Sequence, residues 1–281
     1  MPTLAHRLGL GWLLGDIVPV VRLEGRIAAG RSPGAISLQG TAAALERAFK
    51  LPRLKAVAVV VNSPGGSAAQ SHLIATRLRA LADERKVPVL AFVEDAAASG
   101  GYLAACAADE IYADPFSVVG SVGVIHSSFG LDRFIEKHGV SRRVHTAGTA
   151  KAQLDPFRPE DPRDVEKLHR TLDDMHAAFK AFVKQRRGDK LRAADDVLFN
   201  GDYWTGARAK ELGLVDGVGD ARSVLRAKFG RDVRILPLPL RGPFGLMPAE
   251  GVLASVADAV RDRAVSSGGA FEARESFAAR R

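Results

Sequence analysis

Short runs of β-branched and aliphatic residues alternate along the chain with segments whose apolar positions recur every three or four residues, the pattern of repeated βαβ units. Residues 17–23 predict a strand, and 41–49 carry apolar residues at helical intervals. Residues 56–61 are so uniformly apolar that they predict a strand covered on both faces. A helix follows over 70–85, with Leu73, Ile74, Leu78 and Leu81 on one side, and then a second buried strand over 87–93. Beyond it the pattern predicts a small-residue helix to about Ala108, a short strand near Ile111 and a strand at 120–125 entered through glycine. A helix at 131–138 and a short strand at 142–146 come next, then a loop over 147–162. Pro162–Arg187 has the length and spacing of one long helix, and elements continue through 204–212, Val215 and 233–236. Residues 250–260 predict a terminal amphipathic helix, and the Ser/Gly/Arg-rich end from Val265 is expected to be disordered. The expected division is an N-terminal segment over 1–16, one α/β domain over 17–240 with a mostly parallel sheet flanked by helices, and a C-terminal helix and tail over 241–281.

At 281 residues and 47% hydrophobic, the chain can bury a sizeable core. Its single cysteine, Cys106, excludes an intrachain disulfide and a CxxC metal or redox pair, and reads as a small packing residue. A net charge of +8 raises the question of an anionic partner. The positive residues are interleaved with acids, however, apart from a knot running through Lys180, Lys184, Arg186, Arg187, Lys190 and Arg192, which reads as the solvated end of a helix; no nucleic-acid partner is expected. The apolar stretch at 8–21 is broken by Asp16, Pro19 and several glycines, whereas a membrane span needs about 20 apolar residues. The chain therefore reads as soluble in the cytoplasm or peripherally attached to the inner membrane.

Phosphate-binding and zinc signatures are missing: there is no GxxxxGK[ST], no HExxH and no close histidine pair, so no cofactor is expected. What remains is two glycine turns, each at the carboxyl end of a predicted buried strand, where open α/β sheets place their sites. In Asn62-Ser63-Pro64-Gly65-Gly66, proline fixes one dihedral and the glycines allow positive φ, so that a main-chain N–H can face outward. In Ala98-Ser99-Gly100-Gly101, Ser99 sits where strand gives way to helix, and the Gly100 N–H points the same way as its hydroxyl. A nucleophile with a two-donor oxyanion hole and a pair of plain tight turns both satisfy that spacing.

The chain resembles the signal peptide peptidase A family of serine peptidases, family S49. The resemblance rests on Asn62-Ser63-Pro64-Gly65-Gly66, on Ala98-Ser99-Gly100-Gly101-Tyr102, on Ala107-Ala108-Asp109 and on Gly120-Ser121-Val122-Gly123-Val124. A lysine that precedes a proline by five residues, Lys151 before Pro156, completes it. It implies a ClpP/crotonase-like fold, Ser99 as nucleophile, Lys151 as general base, Gly66 and Gly100 as oxyanion donors, and Ser121 as a hydroxyl orienting the lysine. It also implies peptide substrates such as remnant signal peptides, and a homo-oligomer. Typical members carry an N-terminal membrane anchor; the 8–21 stretch does not read as one.

The chemistry is consistent with those roles. A serine hydroxyl is a weak nucleophile until a base takes its proton, and lysine, with an ordinary pKa of about 10.4, serves only where burial depresses it. Ala150, Ala152 and Leu154 are neighbours able to provide that burial. His126 or His145 would make a Ser-His arrangement instead. An acyl-CoA enzyme of the crotonase type and a non-catalytic assembly subunit are the rival readings, the first disfavoured by a serine and a lysine where crotonases commonly use acids. Tyr203 and Trp204 read as core or rim aromatics.

Overall fold

A computed structural model describes residues 15–30, 34–148 and 150–240; the helix expected at 250–260, the tail from Val265 and most of the 1–16 segment lie outside them. Contacts divide the chain after Pro239, so every element described here belongs to the first unit. Strands β1 (Ile17–Glu24), β4 (Val57–Ser63), β5 (Val89–Ala98), β6 (Glu110–Ala113), β9 (Gly217–Val218) and β10 (Arg234–Leu238) form a parallel sheet in the order β10-β1-β4-β5-β6-β9. Strand β7 (Val118–Gly120) pairs with the last three residues of β5, and β8 (Tyr203–Thr205) runs antiparallel to β7. Two strands too short to show in the pattern, β2 (Arg26–Ile27) and β3 (Ala35–Ile36), pair separately.

The continuous apolar runs of β4 and β5 have a simple cause. Val57, Val59 and Val61 enter one core with Leu45, Ile74 and Leu78, while Ala58 and Val60 enter a second with Val18, Phe92 and Leu225. Successive side chains point to opposite faces, and each face is covered by helices, so no position in 57–61 or 89–93 is free to be polar, whereas Glu94 and Asp95 beyond the covered stretch are exposed. The first core is closed by α1 (Leu38–Lys50), α2 (Ala68–Arg85) and α3 (Gly100–Ala105). The second is closed by α8 (Ala221–Phe229), an element the sequence pattern does not single out. Between them, in chain order, lie α4 (Asp132–Lys137), α5 (Pro162–Arg187), α6 (Asp195–Leu198) and α7 (Gly206–Glu211).

The termini of α5 are those the sequence predicts. Asp161 caps it through the Arg163 N–H, Pro162 occupies the first helical position, and Gly188 at φ 50° ends it.

Three expectations are corrected. The strand expected at 120–125 is β7, and it ends where it was to begin: Gly120 at φ 115° and Ser121 at φ 54° turn the chain out of the ladder. Residues 142–146 have the alternation of a strand but no partner strand beside them, and all are exposed. The basic knot does close a helix, yet it is not merely solvated. Arg186 donates to the carbonyls of Cys106, Ala107 and Ala108, and buried Arg187 donates to Gly213 O and to Asp216.

Candidate active site

Ser99 stands at the junction of β5 and α3 with φ 51° and ψ −122°, a backbone conformation that a residue with a Cβ adopts only under constraint, at a cost of about 1–3 kcal/mol. Two hydrogen bonds hold it there: its N–H donates to Gly120 O at 2.8 Å, and its carbonyl accepts the Leu103 N–H at 3.0 Å. The side chain does not cap the helix, so the hydroxyl is left uncommitted.

Facing it is the turn after β4. Gly65, at φ 94°, lies so close that a Cβ there would stand 2.7 Å from the Gly100 nitrogen and 3.0 Å from the Ser99 Cβ. Gly66, at φ 142°, is bracketed by Ile27, whose N–H donates to Gly65 O and whose carbonyl accepts from Ser67. The Gly66 N–H therefore falls outside that ladder, and the Gly100 N–H, in the first turn of α3, has no acceptor within the helix. A Cβ on Gly100 would lie 3.4 Å from the Gly66 nitrogen. Two free N–H groups and one free hydroxyl thus share a single corner, at the positive end of a helix.

The corner opens into a cleft of about 630 Å³. Besides Ser99, Gly66 and Gly100, its walls include Leu103, Ile125, Met175, Phe179 and Phe182. The last three come from α5, some 80 residues further along, and no local feature of the sequence connects them with Ser99. Their spacing of three or four residues was the available signal, but it reads equally as core packing. His72 also lines the cleft and meets Phe182 edge-on at 5.5 Å between ring centroids. His176 on α5 bonds the Val122 carbonyl at 3.1 Å and ties the helix to the segment after Ser121.

The remaining residues singled out in the sequence stand apart. Ser121, half-buried, donates its N–H to Asp202 O and directly follows the Gly120 that receives the Ser99 N–H, but it does not line the cleft. Lys151 is exposed and does not line the cleft either, so the shelter expected from Ala150, Ala152 and Leu154 is not present within one chain. The reason is local. Between Val122 and Phe179 no described residue is buried, and Lys151 lies in the middle of that arm. His126 and His145 are exposed in the same arm, outside the cleft. Cys106 is fully buried, its thiol pushed up to about 12 by desolvation, as suits a packing residue. Trp204 packs on Gly120 and Tyr203 is exposed.

The fold and this corner define an α/β protein with a serine presented at a strand–helix elbow beside two backbone donors. Residues 82–231, more than half the chain, match the model of Peptidase family S49, and the chain belongs to that family of serine-type peptidases. It is 30% identical over 245 residues to the chloroplastic serine protease SPPA of Arabidopsis thaliana, covering 81% of this chain and 36% of that protein. It is 50% identical over 231 residues to a Brucella abortus protein named Na(+)/H(+) antiporter NhaA, covering 81% of this chain and 31% of that one. The chain thus spans about a third of the length of these relatives. Among solved structures, a mutant of the 1510-N membrane-bound stomatin-specific protease aligns with 80% of this chain and 98% of its own, at a TM-score of 0.47 and 17% identity. Among the described residues no helix is long and apolar enough to cross a membrane.

Proposed function

We propose that the chain is an endopeptidase in which Ser99 attacks the peptide carbonyl, Lys151 of a neighbouring copy takes the serine proton, and the Gly66 and Gly100 N–H groups bind the oxyanion. The observation that carries this reading is the pairing of a strained, uncommitted Ser99 with two free N–H groups in one apolar cleft. As the tetrahedral intermediate forms, negative charge gathers on the former carbonyl oxygen, and donors fixed beforehand stabilise it without reorganising. The amine leaves with the proton that the lysine took, and water then releases the acyl group from Ser99. Apolar cleft walls suit extended, apolar peptides such as remnant signal peptides or unfolded and membrane-released segments. Family membership sets the acyl-CoA reading aside, and the antiporter name stays with the Brucella protein.

The arm supports assigning the base to a neighbour. Exposed on it are Ile125, Phe129, Phe134, Val140 and Val144, with Met175 on α5, and Lys151, also exposed, belongs to the same arm. Packing the arm against a second copy would cover these side chains and exclude water from the lysine, the condition under which an amine becomes a base near neutral pH. Fluorophosphonate labelling tests the nucleophile: wild type labels at Ser99 and Ser99→Ala does not, and labelling at another serine refutes the assignment. Mixing inactive Ser99→Ala with inactive Lys151→Ala under conditions of subunit exchange tests the shared dyad. Partial recovery is expected, and none despite demonstrated exchange would place both residues in one chain.

A further inference from the structure

Lys151 itself is held lightly: its N–H donates to Gly148 O at 3.3 Å, and its side chain is exposed. The fastening lies three to six residues downstream. Leu154 adopts a left-handed backbone at φ 53° and reverses the chain, and its N–H donates to an Asp164 carboxylate oxygen at 3.2 Å in the first turn of α5. Asp155 follows, its side chain only 5% exposed. One of its oxygens accepts Arg142 Nε at 2.8 Å, and the other accepts the Phe157 N–H at 3.1 Å. The Arg142 guanidinium lies over the Phe157 ring, 5.0 Å from its centroid. Pro156 O accepts the Leu131 N–H at 2.6 Å, which binds the same joint to the start of α4.

In an arm without a buried apolar residue, apolar packing cannot fix the path of the chain, so polar links of this kind decide it. A covered carboxylate that receives both a guanidinium and a backbone N–H is a stiffer joint than an ion pair in open solvent. We infer that Arg142 is a positioning residue for Lys151, acting through Asp155 and Phe157 to hold the 151–155 turn in the shape that presents the lysine amine. The inference rests on the proposed role of Lys151 as base. Arginine is the side chain required: its flat cation stacks on Phe157 while its Nε bonds Asp155, and a lysine can do only the second well.

The test uses the full chain, with kcat, KM, pH–rate profile, melting temperature and assembly state measured for wild type, Arg142→Gln, Arg142→Lys, Asp155→Asn and Lys151→Ala. Asparagine at 155 keeps an acceptor for the Phe157 N–H, so it removes the charge without opening the turn. Expected is a fall in kcat of about 10–100-fold in Arg142→Gln and in Asp155→Asn, KM changing little, because an ångström of misplacement at a reacting group costs about that much. The pH–rate profile should change together with that loss, and Arg142→Lys should recover part of it. Wild-type kcat and pH profile in both charge-removing variants, beside an inactive Lys151→Ala, overturn this inference alone. So does a loss that tracks a lowered melting temperature and is shared equally by Arg142→Lys. Hydrolysis retained by Lys151→Ala overturns the base assignment itself.

Discussion

Ser99 holds a backbone angle that costs stability, as suits the nucleophile it is proposed to be. Its φ of 51° is one that glycine adopts at no steric cost and serine does not. Ser99→Gly should therefore melt higher than Ser99→Ala, by an amount equivalent to about 1 kcal/mol, while both are inactive. Calorimetry on the two variants checks this, and equal melting would mean the elbow is unstrained. Cys106 makes the opposite case. With its thiol at about 12 and no exposure, it should resist alkylation at pH 8 in the folded protein and react only on unfolding, which mass spectrometry after iodoacetamide treatment reads directly.

At the scale of elements, α5 joins two environments. Its buried residues are Phe179, Val183 and Arg187, all in the last third, so the first four turns gain nothing from the core. The last turn is clamped by Arg187, whose guanidinium reaches Asp216 at 2.7 Å and Gly213 O at 2.8 Å. Arg187→Ala would leave both acceptors without it, and a loss of about 3–5 kcal/mol in urea unfolding is expected. Burial works against the Asp216 charge, but Arg187 and Lys190 outweigh it and hold the carboxyl below its usual 3.8. A depressed carboxylate contributes stability above its unfolded value, and that contribution disappears as pH falls from about 3.8 through the lower folded value. Arg187→Ala should flatten stability against pH in that acid window, and an unchanged slope would refute the pairing.

The same elements show what the sequence makes legible. Strands β4 and β5 and the two ends of α5 can be read because each residue in them answers to a local rule: burial on both faces, a cap, a terminating glycine. Residues 142–146 mislead for the converse reason, since Val144 and Thr146 favour an extended chain but nothing lies alongside to pair with it. The Ser99, Gly66 and Gly100 cluster could be anticipated because glycines mark where backbone must approach backbone. The cleft wall of Met175, Phe179 and Phe182 could not, because contact between α3 and α5 depends on tertiary folding across some 80 residues.

For the molecule as a whole, the arm is the surface on which the proposed assembly would form. Ile125, Phe129, Phe134, Val140 and Val144 stand exposed there, and covering them would contribute at most about 1.5–3 kcal/mol each. Activity should accordingly fall on dilution in step with dissociation followed by light scattering, and a fully active monomer would refute the link. The 26-residue helix has a further consequence. At about 1.5 Å per residue it is roughly 39 Å long, fixed at one end by Arg186 and Arg187 and carrying the lysine arm at the other. On the proposed shared dyad it would act as a gauge, its length setting how far from one serine the next chain's amine is delivered, and so the width of any chamber the copies would enclose. Removing seven residues from 166–174 would keep the helical phase yet shorten the reach by about 10 Å. Such a protein should fold, bind fluorophosphonate poorly and fail to hydrolyse peptides, although every residue of its elbow and its lysine turn is intact.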